Sequence, residues 1–284
     1  RLSGGLVSIS FMGKIELSTK VNRSLSRYIN KRFEKHIRPM LMITRTLLLL
    51  SFTTLAFLAQ GQQQIVNGSF ENWENLGKQI EPVGWNSLMS ADLCTICSIG
   101  AAQCVFQEKN GRNGKGSCLR IESKSALGVI VNGAVTTGRI TAPTIRPSGA
   151  YNQTVLSDSE FQLPFKDAPD SLVFWAKYSI TDKSDSAKVS FLLHDNFEQT
   201  DPPRDQVSLQ LNGAALKTFQ TAGDWQRVSV PFDYKKNGKS NTHYLLATFS
   251  SSHKAGKGNS NARLWIDEVE LIYNRSEQAF ISKD

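Results

Sequence analysis

The chain reads as an all-β protein built as two stacked antiparallel sheets, and three features of its 284 residues predict this. Beyond residue 62 it is a series of short alternating or β-branched runs. Clusters of Gly, Asn, Asp, Ser and Pro separate them, and no long segment keeps a helical period. The runs span 64–70, 117–123, 128–132, 171–179, 187–194, 206–211, 226–233, 243–250 and 263–273. Strands of this number and length make a sandwich rather than a propeller.

Residues 1–39 mix charges without apolar period and read as an upstream extension outside the native protein, because Met40 and Met42 stand where a leader would begin; a cytoplasmic N-terminal extension is the alternative. The run 47–58 is apolar, is preceded by Arg38 and Arg45, and is followed by Ala59, Gln60 and Gly61. That is a signal-peptide layout over 40–61, with an apolar core shorter than the roughly 20 residues a spanning helix needs. Cleavage is expected before Gln62; an uncleaved anchor is the alternative. Residues 62–274 then form one sandwich, and 275–284 form a solvated tail without a recognisable sorting domain, which favours the periplasm over the cell surface.

The formal charge of +8 belongs to the leader. Residues 1–61 hold 10 of the 33 Lys and Arg and 2 of the 25 Asp and Glu, so residues 62–284 carry 23 of each sign. Net charge therefore gives a nucleic-acid partner no support, and after leader cleavage no stable membrane insertion is expected.

Period-2 alternation assigns faces. Leu172, Phe174 and Ala176 share one side of their strand, with Val173, Trp175 and Lys177 on the other. Val189, Phe191 and Leu193 likewise oppose Lys188, Ser190, Leu192 and His194. The aliphatic sets are expected in the core. In the last strand Leu264 and Ile266 fall out of phase with Val269 and Leu271, and a bulge at Asp267 and Glu268 restores both pairs to the core.

All four cysteines, Cys94, Cys97, Cys104 and Cys118, lie close together in the exported part. An even cluster there reads as two disulfides whose pairing spacing does not choose. The C-x-x-C spacing of Cys94 and Cys97 admits zinc as a rival, but Cys104 and Cys118 lack it.

Three stretches carry a family resemblance. "VNGSFENWE" followed by "PVGWNS" is similar to the opening of extracellular jelly-roll domains. "SLVFWAKYS", "GDWQRVSVPFDY" and "ATFSSSHKAGKGNSNARLWIDEVELIY" resemble the provisionally named carbohydrate metabolism domain of exported Bacteroidetes proteins. The resemblance spans about residues 66–273 and weakens over 74–140, where the cysteines fall. It implies a jelly-roll sandwich similar to carbohydrate-binding modules, exported to the periplasm or cell surface and partnered by a glycan.

Jelly-roll carbohydrate modules often hold a structural calcium between first and last strands, and Glu71 and Asp267 stand in matching places. Calcium wants six to eight hard oxygens, so carbonyls or waters must complete the set. For sugar stacking, Trp175 is the best platform, with Lys177 on its face and His194 and Tyr244 as further neighbours; Trp73, Trp85 and Trp225 read as framework. The histidines His194, His243 and His253 sit in no catalytic frame, and the Gly-rich segment after His253 lacks phosphate-loop spacing and reads as a mobile loop. No catalytic residue is assigned. The expectation is a non-catalytic glycan-binding accessory domain, with a glycoside hydrolase or lyase and a structural or adhesive surface protein as alternatives.

Overall fold

A computed structural model describes residues 25–28, 31–32, 61–76, 79–95, 97, 103–126, 128–144, 146–236 and 238–274. The leader at 40–60 and the tail at 275–284 lie outside them, as does most of the upstream extension. The chain divides into units 1–61 and 62–284. In the first, residues 25–28 and 31–32 are helical. Among the described residues no helix is long and apolar enough to cross a membrane.

The second unit is almost entirely β. Its strands are β1 (Trp73–Leu76), β2 (Gln79–Pro82), β3 (Val105–Lys109), β4 (Ser117–Glu122), β5 (Lys124–Ala126), β6 (Val129–Val131), β7 (Ala134–Thr136) and β8 (Arg139–Thr141). They continue as β9 (Tyr151–Gln153), β10 (Ser171–Ser179), β11 (Ala187–His194), β12 (Thr200–Asp201), β13 (Gly213–Phe219), β14 (Gln226–Pro231), β15 (Asp233–Tyr234), β16 (Tyr244–Ser250) and β17 (Arg263–Ile272). One five-stranded sheet runs β14-β10-β17-β4-β3, the other β15-β13-β11-β16-β7, and a small sheet β12-β9-β8 accompanies them. All the strand pairings within the two large sheets are antiparallel, so the expected β-sandwich is present.

The alternation read from the sequence places the core correctly. Leu172, Phe174 and Ala176 of β10 and Val189, Phe191 and Leu193 of β11 are fully buried. Each such Leu or Phe contributes roughly 1.5–3 kcal/mol by leaving water. Trp85 meets Phe249 at 5.9 Å between ring centres, and Phe249 meets Phe174 edge-on at 5.1 Å, tying both sheets to the loop that follows β2.

The bulge is present as well. Pairing of β10 with β17 slips between Val173 and Trp175, Glu268 takes a left-handed φ of 49°, and Val269 and Leu271 return to the core. Two expected strands are absent. Residues 64–70 make a turn with Asn67 and Phe70 at φ 47° and 53°, and Val207–Leu209 is a 3-10 turn. Strand β13 was not expected, because Gly213, Ala214 and Ala215 give no hydrophobic alternation, although Ala215 and Phe219 are buried.

The cysteines correct the expectation of two disulfides. Cys94 and Cys97 are joined, which removes the zinc alternative, whereas Cys104 and Cys118 are buried thiols. The register explains this. Cys118 faces Glu108 across the β3–β4 ladder, while the Cys104 carbonyl accepts from the backbone N–H of Glu122. Four residues of strand separate the two positions, about 13 Å, well beyond disulfide reach. Burial pushes both thiols up to about 12.

Candidate functional site

The residues expected to form one ligand platform divide into two pairs on different sheets. Trp175 and Lys177 belong to β10 in one sheet, His194 and Tyr244 to β11 and β16 in the other. The link from β10 to β11 crosses between sheets, so strands adjacent in sequence are not neighbours in space.

Neither pair offers an open platform. The Arg112 guanidinium carbon lies 4.1 Å from the Trp175 ring centre, and Arg112 Nε and Nη2 donate to Glu268 at 3.0 and 3.1 Å, so a fixed ion pair covers that indole. Lys177 lies between the rings of Trp225 and Trp265. His194 is fully buried and stacks on Tyr244 at 5.7 Å. Its Nδ1 lies 2.8 Å from the Asp195 carbonyl, which can only accept, so Nδ1 carries the proton and Nε2 accepts from the Thr154 hydroxyl at 3.0 Å. Burial holds this imidazole neutral, with its pKa lowered to about 4.

A different site lies on the outward face of the β11–β16 pair. There the ladder sets Lys188 opposite Ser250 and Ser190 opposite Thr248. Strands β8, β9 and β12, the residues around β6 and the segment after β16 border a cleft of about 180 Å³. Its apolar lining comes from Leu88, Val131, Ala134, Ile140 and Ala142, with the Tyr151 ring alongside. The polar groups are Asn132, Asn152, Lys188, Asp201, Ser250 and His253.

Three details give the cleft chemical character. Lys188 Nζ donates to Asp201 Oδ1 at 3.2 Å, and the Asp201 side chain is only 10% exposed. Asn132 donates from Nδ2 to the carbonyls of Ser252 and Lys254, which leaves its buried Oδ1 without a hydrogen-bond partner. Tyr151 carries Arg204 over its ring at 4.9 Å.

The segment after β16 forms one wall of the cleft, and it is anchored rather than the expected mobile loop. Buried Asp185 accepts from the Ser252 hydroxyl at 2.9 Å, from the Asn259 N–H at 2.8 Å and from the Ser186 N–H at 2.8 Å. His253 Nδ1 stands 3.2 Å from the same carboxylate.

Glu71 and Asp267, expected as calcium ligands, both border the turn between β3 and β4. Asp267 Oδ2 accepts from the Arg112 N–H and Oδ1 from the Glu268 N–H, each at 2.8 Å; Glu71 Oε2 accepts from the Ser117 N–H at 3.0 Å. A Cβ on Gly111 would meet Asp267 Oδ2, the Lys115 carbonyl and the Ser117 carbonyl at 2.7, 2.9 and 3.1 Å. These are hard oxygens, the donor class calcium takes. Burial raises the pKa of Asp267, opposed by the N–H groups of Arg112 and Glu268 and reinforced by the charges of Glu268 and Glu71. A bound cation relieves that penalty, so the donor chemistry fits calcium. Among the described residues no group of three or more His, Cys, Asp and Glu converges, so carbonyls and waters would have to complete the shell.

The sequence reading missed the cleft although it set Lys188 on the outward face of its strand. The groups opposite, Tyr151, Asn152 and Asp201, come from strands of two and three residues, too short to show a period.

No protein-family model matches the chain, and no curated protein matches its sequence. Among solved structures, a Bacteroides thetaiotaomicron protein described as a "putative glycoside hydrolase" is similar at 19% identity, over 72% of this chain and 70% of that one, with a TM-score of 0.52. A Bacteroides vulgatus protein of the same description aligns at 16% identity over 75% and 95%, with a TM-score of 0.46. A carbohydrate-binding module in complex with beta-1,4-galactotriose aligns at 10% identity over 74% and 97%, with a TM-score of 0.33. The first of these likenesses is one of fold, and the chain therefore shares the β-sandwich architecture of that Bacteroides protein.

Proposed function

We propose that this is an exported, non-catalytic glycan-binding domain whose ligand lies in the cleft on the outward face of β11 and β16. The cleft itself carries the reading. It combines an apolar lining and an aromatic ring with a few convergent amides, hydroxyls and one ion pair, the mixture that suits a sugar's C–H face and its hydroxyls. The unpartnered Asn132 Oδ1 is an acceptor awaiting a donor.

Glycoside hydrolysis uses two carboxyl groups flanking the scissile bond. Among the described lining residues Asp201 is the one carboxylate, and Lys188 already holds it. The arrangement therefore favours binding over turnover. The leader-like segment 40–61 supports export to the periplasm or cell surface, and the oxygen atoms around Glu71 and Asp267 support a structural calcium.

The test is a glycan-array screen of the full chain, with calcium and with chelator, followed by a product assay on each hit. Saturable binding without new reducing ends, lost on Tyr151→Ala, is the expected result. Release of reducing ends would place the protein among hydrolases, and a blank array would leave a protein-interaction role.

A further inference from the structure

We propose that the cleft takes a single neutral hexopyranose unit, a chain end or a lone branch residue, and does not bind along a run of a polysaccharide. This rests on the glycan-binding reading and specifies its ligand.

Size is the first argument. Pockets for drug-sized ligands have volumes of roughly 300–1,000 Å³. The cleft measures about 180 Å³. Its small size among ligand sites suits one pyranose ring rather than a row of them.

Charge is the second. Lys188 and Asp201 supply the charged side chains among the described lining apart from His253, and they neutralise one another at 3.2 Å. His253 in turn stands 3.2 Å from the buried Asp185 carboxylate. A uronate or sulfated sugar would bring a negative charge to a half-enclosed site whose lining holds no unpaired cation, since Arg204 lies over the Tyr151 ring and outside that lining, so its desolvation is poorly compensated there.

The polar atoms suit hydroxyls. Asp201 accepts and Lys188 donates from adjacent positions, so one hydroxyl can give its proton to the carboxylate while a neighbouring hydroxyl oxygen accepts from the ammonium. Asn132 Oδ1 takes a proton from a third hydroxyl, and the Tyr151 ring, which carries Arg204, borders the site together with its aliphatic lining.

The experiment is calorimetry on the full chain with methyl glycosides of glucose, galactose and mannose, the matching uronic acids, and homo-oligosaccharides of each neutral sugar up to the hexamer. For the sugar that binds, affinity should change less than about threefold from methyl glycoside to hexamer, and its uronate should bind at least tenfold more weakly. Asp201→Asn frees the Lys188 charge and should narrow or reverse the uronate disadvantage, with a thermal melt confirming that the variant folds. A tenfold or larger gain between monomer and tetramer overturns the single-unit inference, and a uronate that binds as tightly as its neutral parent overturns the neutral one. Both comparisons use the wild-type chain and stand if the variant fails to fold. Failure of every saccharide to bind at any length removes the glycan reading itself, and this inference with it.

Discussion

Lys177 lies between two tryptophan rings, its ammonium 5.5 Å from the centre of Trp225 and 4.4 Å from that of Trp265. The contact belongs to a row that crosses the whole sheet. Lys177 pairs with Trp265, Trp265 with Arg120, and Arg120 with Phe106, whose ring centre lies 4.4 Å from the Arg120 guanidinium carbon. Aromatic and cationic side chains therefore alternate across β10, β17, β4 and β3, with Trp225, the residue before β14, beside Lys177. Exposed cation–π contacts contribute roughly 0.5–1 kcal/mol each. Lys177→Met keeps the packed stem and removes the charge, and it should lower unfolding stability by about 1–2 kcal/mol in urea titration. An unchanged midpoint would mean that the row holds by packing alone.

His194 makes stability depend on pH. Its folded pKa of about 4 lies below the ordinary value of 6.5. Between those values the unfolded chain binds a proton that the folded protein does not, so stability is full above about pH 6.5 and falls as pH drops toward 4. For this fully buried ring the loss is on the order of 3 kcal/mol. His194→Gln should flatten the fall across that window in denaturant titrations at stepped pH. A fall of the same size in the variant would assign it to other groups.

Cys104 and Cys118 should be silent to thiol reagents in the native protein. Both are buried, with burial raising each pKa to about 12, and the thiolate is the reactive form. A chromogenic disulfide reagent should find no fast thiol in native buffer and two in denaturant without reductant. Four thiols in denaturant would exclude the Cys94–Cys97 disulfide.

Asp185 should decide whether the cleft keeps its wall. Asp185→Ala orphans the buried Ser252 hydroxyl and the half-buried N–H groups of Ser186 and Asn259, and a buried donor left unmade costs about 1–3 kcal/mol, a half-buried one less. A loss of about 2–3 kcal/mol is expected, about 4–12 °C in Tm for a domain of this size. Hydrogen exchange across 251–261 should rise in step. A drop in Tm without faster exchange there would separate the carboxylate from the wall.

The frame was legible in the sequence wherever a strand is long and has one buried face. The aliphatic sets of β10 and β11 and the bulge at Asp267 follow from period-2 alternation. What alternation does not carry is which sheet a strand joins, and His194 and Tyr244 belong to the sheet opposite Trp175. The cleft was hidden for another reason. Asn132 and Tyr151 line the cleft with Lys188 from tens of residues away, Asp201 reaches Lys188 from a separate short strand 13 residues on, and no local pattern encodes that meeting.

Calcium gives the most direct test of the cradle between β3 and β4. The carboxylate of Asp267 is buried close enough to Glu71 and Glu268 for their charges to raise its pKa, so the metal-free protein bears an electrostatic cost that a divalent cation removes. Calcium at 100 times its dissociation constant should raise stability by about 2.7 kcal/mol over the chelated protein. Binding needs the deprotonated carboxylate, so affinity should weaken as pH falls into the raised titration range of Asp267. Asp267→Asn should cost little in chelator, where losing one backbone hydrogen bond is offset by losing an unfavourable buried charge, and it should abolish the calcium increment. A variant equally destabilised with and without calcium, or a wild-type melt that chelator does not move, would show that Asp267 serves the bulge alone.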